Sequence, residues 1–205
     1  MFPISQAIKF PVIVTKYTYF YSLSGKIILD TPARFGMVRI GFLGEDVVVP
    51  KNERSLLQIE GKLILGANVR IGCGVIMRIE PNAEMRLEND VRIGSKCRLI
   101  AYDSITIREK TGLSWECQIM DSNMHDIEDI HTGKLMPSSS KVIIGANNWV
   151  GTRTSIMKGC RTPDYTIIAA SSVCNRNYED IPNYSILAGA PAKLIKTGFK
   201  RADYK

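Results

Sequence analysis

The side chains best suited to proton transfer near neutral pH lie in one polar segment. Residues 121–141 read DSNMHDIEDIHTGKLMPSSSK and contain both histidines of the chain, His125 and His131. A free imidazole has a pKa of about 6.5, so it can accept a proton from a hydroxyl group at neutral pH. Three aspartates of the segment could hold the ring by accepting a hydrogen bond from its other nitrogen. They are Asp121 and, as weaker candidates, Asp126 and Asp129. A solvated surface loop has the same composition, so the residues alone leave both interpretations open.

This segment interrupts a six-residue repeat, in which an aliphatic residue is usually followed by a small or polar one. The aliphatic residues are Leu65, Ile71, Ile93, Leu99, Leu113 and Ile119 before the segment, and Ile144, Val150 and Ile156 after it. An amphipathic helix repeats apolar residues every three or four positions and a half-buried strand every two. Period six fits neither. It predicts a solenoid of short strands joined by tight corners, with one aliphatic side chain per hexad pointing at the axis.

The repeat divides the chain into three parts. We expect an all-β solenoid domain over residues 56–197, with residues 121–141 as a loop. Because a long interruption in a regular array is usually functional, this loop is the first place to look for a site. Residues 1–55 lack the repeat and are expected to cap the solenoid, whose open end would otherwise expose edge strands and axis residues. Residues 198–205 form a basic C-terminal tail.

Five cysteines raise the question of disulfides, metal binding or covalent catalysis. Their number is odd and no two have CxxC spacing. Cys97, Cys117 and Cys160 each follow a repeat aliphatic residue by four positions, where other hexads hold small residues. We therefore expect these three to be buried free thiols, which argues against a cysteine nucleophile activated by a neighbouring base. Cys73 and Cys174 are candidate surface thiols.

The composition limits the class of protein. A chain of 205 residues with 45% hydrophobic content can bury one substantial core. No stretch approaches the roughly 20 apolar residues that cross a bilayer, and no secretory signal precedes the repeat, so we expect a cytoplasmic protein. The net charge of +7 is spread along the chain, which gives no reason to expect a nucleic-acid partner. Basic residues are concentrated only near the C-terminus. This basic segment is either a solvated chain end or a contact for ligand phosphates or for the inner membrane face. They are Lys193, Lys196, Lys200, Arg201 and Lys205.

Four features in order resemble the hexapeptide-repeat acyltransferases of the left-handed parallel β-helix superfamily. They are the hexads, residues 121–125 (DSNMH), residues 148–151 (NWVG) and residues 188–193 (AGAPAK). The resemblance is greatest to the sugar O-acetyltransferases of capsule, exopolysaccharide and lipopolysaccharide synthesis. It implies a left-handed β-helix with three hexads per triangular coil, and a homotrimer with active sites between neighbouring subunits. It also implies acetyl-CoA as acyl donor, a carbohydrate acceptor and no metal.

The resemblance assigns His125 as the general base that removes the proton of an attacking sugar hydroxyl. Asp121 would orient the imidazole or bind the sugar, and His131 would be loop surface. Direct transfer in a ternary complex is then expected. A further set of residues would line the coenzyme A groove, where small residues admit the pantetheine arm and cations meet the nucleotide phosphates. This set is Trp149, Gly151, Ala170, Arg176 and Lys193.

Two stretches of the expected groove depart from the family pattern. Thr162 and Pro163 stand where family members commonly have an aliphatic residue and glycine. Residues 170–172 read Ala-Ser-Ser where Ala-Gly-Ser is common. These departures leave the predicted fold unchanged and bear only on how the cofactor is contacted.

Two other functions fit the same fold. A metal-dependent carbonic anhydrase family needs three histidine ligands for each zinc ion, whereas this chain has two histidines. A non-catalytic scaffold would have no use for His125 or for the motif at 189–193. The identity of the acceptor and the length of the acyl group stay open.

Overall fold

The computed structural model describes residues 3–42, 50 and 52–202; the end of the predicted basic tail, residues 203–205, lies outside the described residues. One short helix, α1 (Ile4–Ala7), precedes a long series of short strands. In chain order these are β1 (Val12–Val14), β2 (Thr18–Ser22), β3 (Lys26–Leu29), β4 (Val38–Phe42), β5 (Ser55–Ile59), β6 (Lys62–Leu65), β7 (Val69–Gly72), β8 (Ile76–Ile79), β9 (Glu84–Leu87), β10 (Arg92–Ile93), β11 (Arg98–Ala101), β12 (Ser104–Ile107), β13 (Gly112–Leu113), β14 (Gln118–Met120), β15 (Ile127–Glu128), β16 (Leu135–Met136), β17 (Val142–Ile144), β18 (Trp149–Val150), β19 (Ser155–Ile156), β20 (Ile167–Ile168), β21 (Val173–Cys174), β22 (Ser185–Gly189) and β23 (Ala192–Thr197).

The strands form three sheets that run along a triangular coil. Sheet A has the order β1-β4-β7-β10-β13-β18-β20-β22-β23, sheet B the order β2-β5-β8-β11-β14-β19-β21, and sheet C the order β17-β12-β9-β6-β3. Neighbouring strands are parallel, except that β22 and β23 pair antiparallel at the C-terminal end. Each turn of chain visits A, then B, then C. The prediction of an all-β, left-handed parallel β-helix is confirmed.

Side chains inside the coil stack in register on those of the next turn. Val150 pairs with Ile168, three hexads later, and both side chains are fully buried. Ile71 pairs with Ile93, four residues beyond three hexads, so the early turns are longer and the repeat slips there. The predicted axis residues are buried throughout, as expected when one side chain per strand points inward.

The strand ladders begin well before residue 56, the predicted boundary. Strands β1, β2 and β3 form a first turn, and β1 pairs with β4, which pairs with β7. Residue 56 itself lies inside β5. The described residues before this boundary therefore contribute coil of their own. That this segment also caps the helix stays a prediction.

The C-terminal end of the coil is closed by a buried tyrosine. Tyr178 is fully buried, and its hydroxyl donates a hydrogen bond to the Ala192 carbonyl at 3.1 Å. Burial raises the pKa of the Tyr178 hydroxyl to about 12. The Tyr178 side chain therefore stays neutral at physiological pH and packs inside the last turn of the coil.

All five cysteines are free and buried. This confirms the prediction for Cys97, Cys117 and Cys160, but the expectation of surface thiols at Cys73 and Cys174 is wrong. Cys174 pairs with Ile156, so the register puts its thiol in an axis position. The Cys73 thiol lies 3.4 Å from the Ser95 hydroxyl, where two coil corners stack.

Candidate functional site

Residues 121–141, here called the arm, leave the coil at the corner between sheets B and C. The arm is a hairpin in which β15 pairs antiparallel with β16. Its base is tied to the coil because the Asn123 amide donates to the Ser138 carbonyl at 2.9 Å and the Ser140 amide donates to the Asp121 carbonyl at 2.8 Å. At the tip, the Asp129 carboxylate accepts the amides of His131 and Thr132 at 2.8 and 3.1 Å.

The two histidines occupy different levels of the arm. His125 lies at its base, directly after Met124, whose φ of +62° turns the chain outward. The Ser122 hydroxyl fixes that turn by accepting the Met124 amide at 2.9 Å. His131 lies at the tip, beyond β15. Both residues are exposed, and no described side chain or backbone group hydrogen-bonds either imidazole. Only His125 is held close to the coil.

Asp121 is an anchor of the coil wall. It is fully buried, and its two carboxylate oxygens accept the amides of Tyr102 and Asp103, each at 2.8 Å. Burial raises the pKa of the Asp121 carboxyl, while these amide hydrogen bonds oppose the rise. The described contacts of the carboxylate do not include His125. Asp121 therefore holds the base of the arm to the coil, and of its two predicted roles, a direct hydrogen bond to the imidazole is not formed within the chain.

The corner between sheets A and B, here called the A–B corner, carries most of the predicted groove residues. A Cβ atom on Gly151 would lie 2.6 Å from the Ala170 backbone nitrogen, because successive corners stack in direct contact. Glycine at this position is thus required by coil stacking. Ala170 itself is exposed on the same corner.

Trp149 presents its indole at the edge of this corner. The ring is held by a hydrogen bond from Nε1 to the Ser114 hydroxyl, at 3.1 Å, and is 38% exposed. The Arg201 guanidinium lies 5.6 Å from the ring centroid. A second exposed tryptophan, Trp115, follows Ser114 on the same corner. Trp115 was not among the predicted groove residues, although a tryptophan stands there at a hexad position that usually holds a small or polar residue.

The two predicted cations lie apart from each other. Lys193 is exposed on β23, at the end of sheet A, which also contains Trp149. Arg176 lies after β21, at the corner between sheets B and C, below the arm. Its guanidinium pairs with the Asp180 carboxylate at 3.2 Å and packs over the Tyr178 ring at 4.4 Å. Within one chain, Arg176 is therefore on the His125 side.

Thr162 replaces the aliphatic residue of the family pattern as part of a buried polar network. Its hydroxyl accepts the Gly145 amide at 3.1 Å and the Asn148 side-chain amide at 2.7 Å. The side-chain oxygen Oδ1 of Asn148 in turn accepts the Thr166 backbone amide at 2.6 Å. The polar substitution is satisfied, which explains how the coil tolerates it.

The predicted site residues are thus divided between two corners, which lie at opposite ends of the strands of sheet B. Gly151, Ala170 and Trp149 meet at the A–B corner, with Lys193 farther along sheet A. His125 and Arg176 belong to the other edge. Across residues 3–42, 50 and 52–202, no three His, Cys, Asp or Glu side chains form a group that could hold a metal ion. Within the same ranges, no helix is long and apolar enough to cross a bilayer.

The chain is similar in sequence and in fold to several named acetyltransferases. No model of a protein family matches the chain. The Escherichia coli K12 protein WbbJ, named as a lipopolysaccharide biosynthesis O-acetyltransferase, is 23% identical over 187 residues, covering 83% of this chain and 94% of WbbJ. The solved structure of the polysialic acid O-acetyltransferase OatWY has a TM-score of 0.63 at 19% identity and covers 93% of each chain. Over most of its length the chain is thus similar to a protein named as an O-acetyltransferase, and it shares the fold of the β-helix acetyltransferases.

A further acyltransferase structure shares the fold of this chain. AntD, an N-acyltransferase from Bacillus cereus crystallised with dTDP and 3-hydroxybutyryl-CoA, has a TM-score of 0.52 at 17% identity. The likeness covers 94% of this chain and 86% of AntD. At such identity the likeness shows the fold alone.

Proposed function

We propose that the protein is an acetyl-CoA-dependent O-acetyltransferase that acts on a sugar hydroxyl in the synthesis of a surface polysaccharide. The observation that carries this proposal is the exposed imidazole of His125 at the base of an arm that interrupts the coil. The name of WbbJ supports a sugar acceptor, and AntD was crystallised with an acyl-CoA, which supports a thioester donor.

In the proposed reaction, the sugar hydroxyl oxygen attacks the carbonyl carbon of the thioester. His125 takes the hydroxyl proton as the new carbon–oxygen bond forms. The carbon–sulfur bond then breaks, and the coenzyme A thiolate leaves and is protonated by the imidazolium. The products are an acetyl ester and coenzyme A, and the histidine is returned to its neutral form. All five thiols are buried, which supports a route without an acyl-cysteine.

We further propose that the site forms between copies of the chain in a homotrimer. Within one chain, sheet B separates the A–B corner from the corner that bears the arm. A neighbouring copy can bring its A–B corner against the arm, so that coenzyme A lies beside Trp149 and Ala170 of one copy and His125 of the next. Lys193, and Arg176 from the side of the arm, would then meet the nucleotide phosphates.

Asp121 has a positioning role in this proposal, because it fixes the point where the arm leaves the coil. We place the reaction in the cytoplasm, where free buried thiols are the usual state of cysteine, with the basic tail available for contact with the inner membrane face. Acetyl and longer acyl groups are both chemically compatible with this reaction, and the assay below distinguishes the two kinds of donor.

The test is thiol release from acyl-CoA by the purified full-length protein, with nucleotide sugars and oligosaccharides as acceptors. We expect release that depends on both donor and acceptor, with an acetyl ester in the product by mass spectrometry. Acetyl-CoA and 3-hydroxybutyryl-CoA are compared at equal concentration. Metal chelation should leave the rate unchanged. No transfer to any sugar acceptor, together with trimeric, folded protein, would favour a scaffold.

A further inference from the structure

Three arginines stack on the outer face of sheet A. Arg39 pairs with Arg70, and Arg70 pairs with Arg92, in consecutive turns of the coil. Their strand neighbours Val38, Ile40, Val69, Ile71 and Ile93 are buried, so the arginines alternate to the outside. Adjacent strands lie about 4.8 Å apart, so the three backbone positions span about 10 Å. We call this row the arginine ladder.

Like charges opposite one another on a sheet oppose folding. The repulsion is greatest for Arg70, which has an arginine on each side in the row. Its pKa is lowered by burial and by the charges of Arg39 and Arg92, and Asp90 only partly opposes the shift. The Arg70 guanidinium donates to two backbone carbonyls, those of Met37 and Val69, at 3.2 and 3.1 Å. Backbone oxygens orient this side chain without neutralising it.

Several other cations on the coil are neutralised. Arg86 pairs with Asp30 across turns of sheet C, and Arg108 pairs with Asp164 at 3.6 Å. By contrast, within the described part of the chain, none of the ladder arginines has a carboxylate within ion-pair distance. Among the described residues, the ladder arginines thus lack the ion pairs that Arg86 and Arg108 have. An unbalanced row held in strand register suits a ligand with repeated negative charges.

The ladder leads toward the proposed transfer site. Arg92 pairs with Gly112, and Gly112 pairs with Trp149, so the same row continues through a position without a side chain to the exposed indole. Guanidinium groups bind carboxylates in a bidentate manner. A chain of acidic sugars can therefore lie along the row, with its charges on the arginines and its end at the corner that bears Trp149.

We infer that the outer face of sheet A binds an acidic polysaccharide, whose regularly spaced carboxylates pair with Arg39, Arg70 and Arg92. This inference rests on the proposed function, since it names the class of acceptor that the site would take. The ladder arginines bind the chain and direct it toward Trp149; they take no part in proton transfer. The regular spacing of the ladder favours a polymer over a single anion.

The test is binding of polygalacturonate to the full-length protein, measured by calorimetry at low salt without acetyl-CoA. Wild-type protein should bind polygalacturonate and should not bind neutral dextran. The double variant Arg39→Gln/Arg92→Gln should bind about tenfold more weakly, because two charged hydrogen-bonding groups are lost. It keeps Arg70 and its backbone contacts, so we expect it to fold with an unchanged or higher thermal midpoint.

The matched control is Arg86→Gln/Arg108→Gln, which lowers the net charge by the same amount on sheet C. It should bind polygalacturonate nearly as wild type does. Equal losses in both double variants would show nonspecific attraction to a basic protein and overturn the inference. So would wild-type protein that fails to bind polygalacturonate, or that prefers polyphosphate or anionic vesicles. A changed oligomeric state in the ladder variant would instead make this face an interface between copies.

The binding assay is independent of catalysis. Polymer binding without acetyl transfer would support the binding role of the arginine ladder and contradict the proposed function. Acetyl transfer to neutral sugars without polymer binding would support the proposed function and contradict the binding role of the ladder.

Discussion

The arm and the A–B corner are the two halves of the proposed site, and they are built differently. The corner is fixed by direct stacking of backbone on backbone, so tightly that Gly151 has no room for a side chain. The arm projects from the coil, exposes His125, and is held by hydrogen bonds at its base. In the proposed function, the tightly stacked corner holds the donor and the projecting arm supplies the base.

The largest expected effect is on the arm. His125→Ala should lower acetyl transfer by about 10²–10⁴-fold, the usual range for loss of a general base. Binding of acetyl-CoA should be nearly unchanged, because the corner is intact. The measurements are steady-state rates with the best acceptor and calorimetry with acetyl-CoA.

His131→Ala is the control for this variant, since it removes the other exposed histidine from the same arm. It should keep most of the activity. Equal rates for the two variants would contradict the assignment of His125 as the base.

At the corner, the expected effect is on folding. Gly151→Ala places a Cβ atom 2.6 Å from the Ala170 nitrogen, so backbone must shift. We expect a loss of about 1–3 kcal/mol in the free energy of unfolding, measured by denaturant titration. Gly198→Ala, where no atom lies within 4 Å, should cost only the strain of a φ of +84°, about 1 kcal/mol. A Gly151→Ala protein as stable as wild type would show that the corners are not in contact.

The join between arm and coil should give an intermediate effect. In Asp121→Asn, one amide oxygen replaces two carboxylate oxygens, so the Tyr102 or Asp103 amide loses its acceptor. We expect about 1–3 kcal/mol lower stability. The rate per folded molecule should fall modestly, because the imidazole stays in place but its support loosens. A rate loss as large as that of His125→Ala at unchanged stability would assign Asp121 a direct contact with the reacting groups.

The coil was predictable from the hexads because each axis position demands a buried aliphatic side chain. The first turn was not, since β2 reads Thr-Tyr-Phe-Tyr-Ser and the end of a coil packs on one side only. The repeat also located the arm, by stopping at residue 121, but its two-residue strands carry no periodic signal. The split of the site between two corners follows from strand register, which no local pattern encodes.

The smallest expected effect is a difference between the corner and the arm in how readily reagents reach their side chains. The Cys117 thiol lies 3.2 Å from the Gly151 carbonyl beneath the corner, and all five thiols are buried. A thiol reagent should therefore label none of them rapidly in native protein and all five after unfolding. The exposed Lys134 on the arm should be an early site of tryptic cleavage. Rapid native labelling of Cys117 would contradict the sealed corner.

The central claim is that one copy supplies the base and its neighbour the donor wall. It is tested most directly by co-expressing His125→Ala with Ala170→Trp, a substitution that fills the groove at an exposed position. Each variant alone should be nearly inactive. With equal expression and random assembly, about three quarters of the trimers are mixed, and each mixed trimer has one intact site of three. The population should therefore recover about a quarter of wild-type activity. Mixed oligomers that stay as inactive as either parent would contradict a site shared between copies.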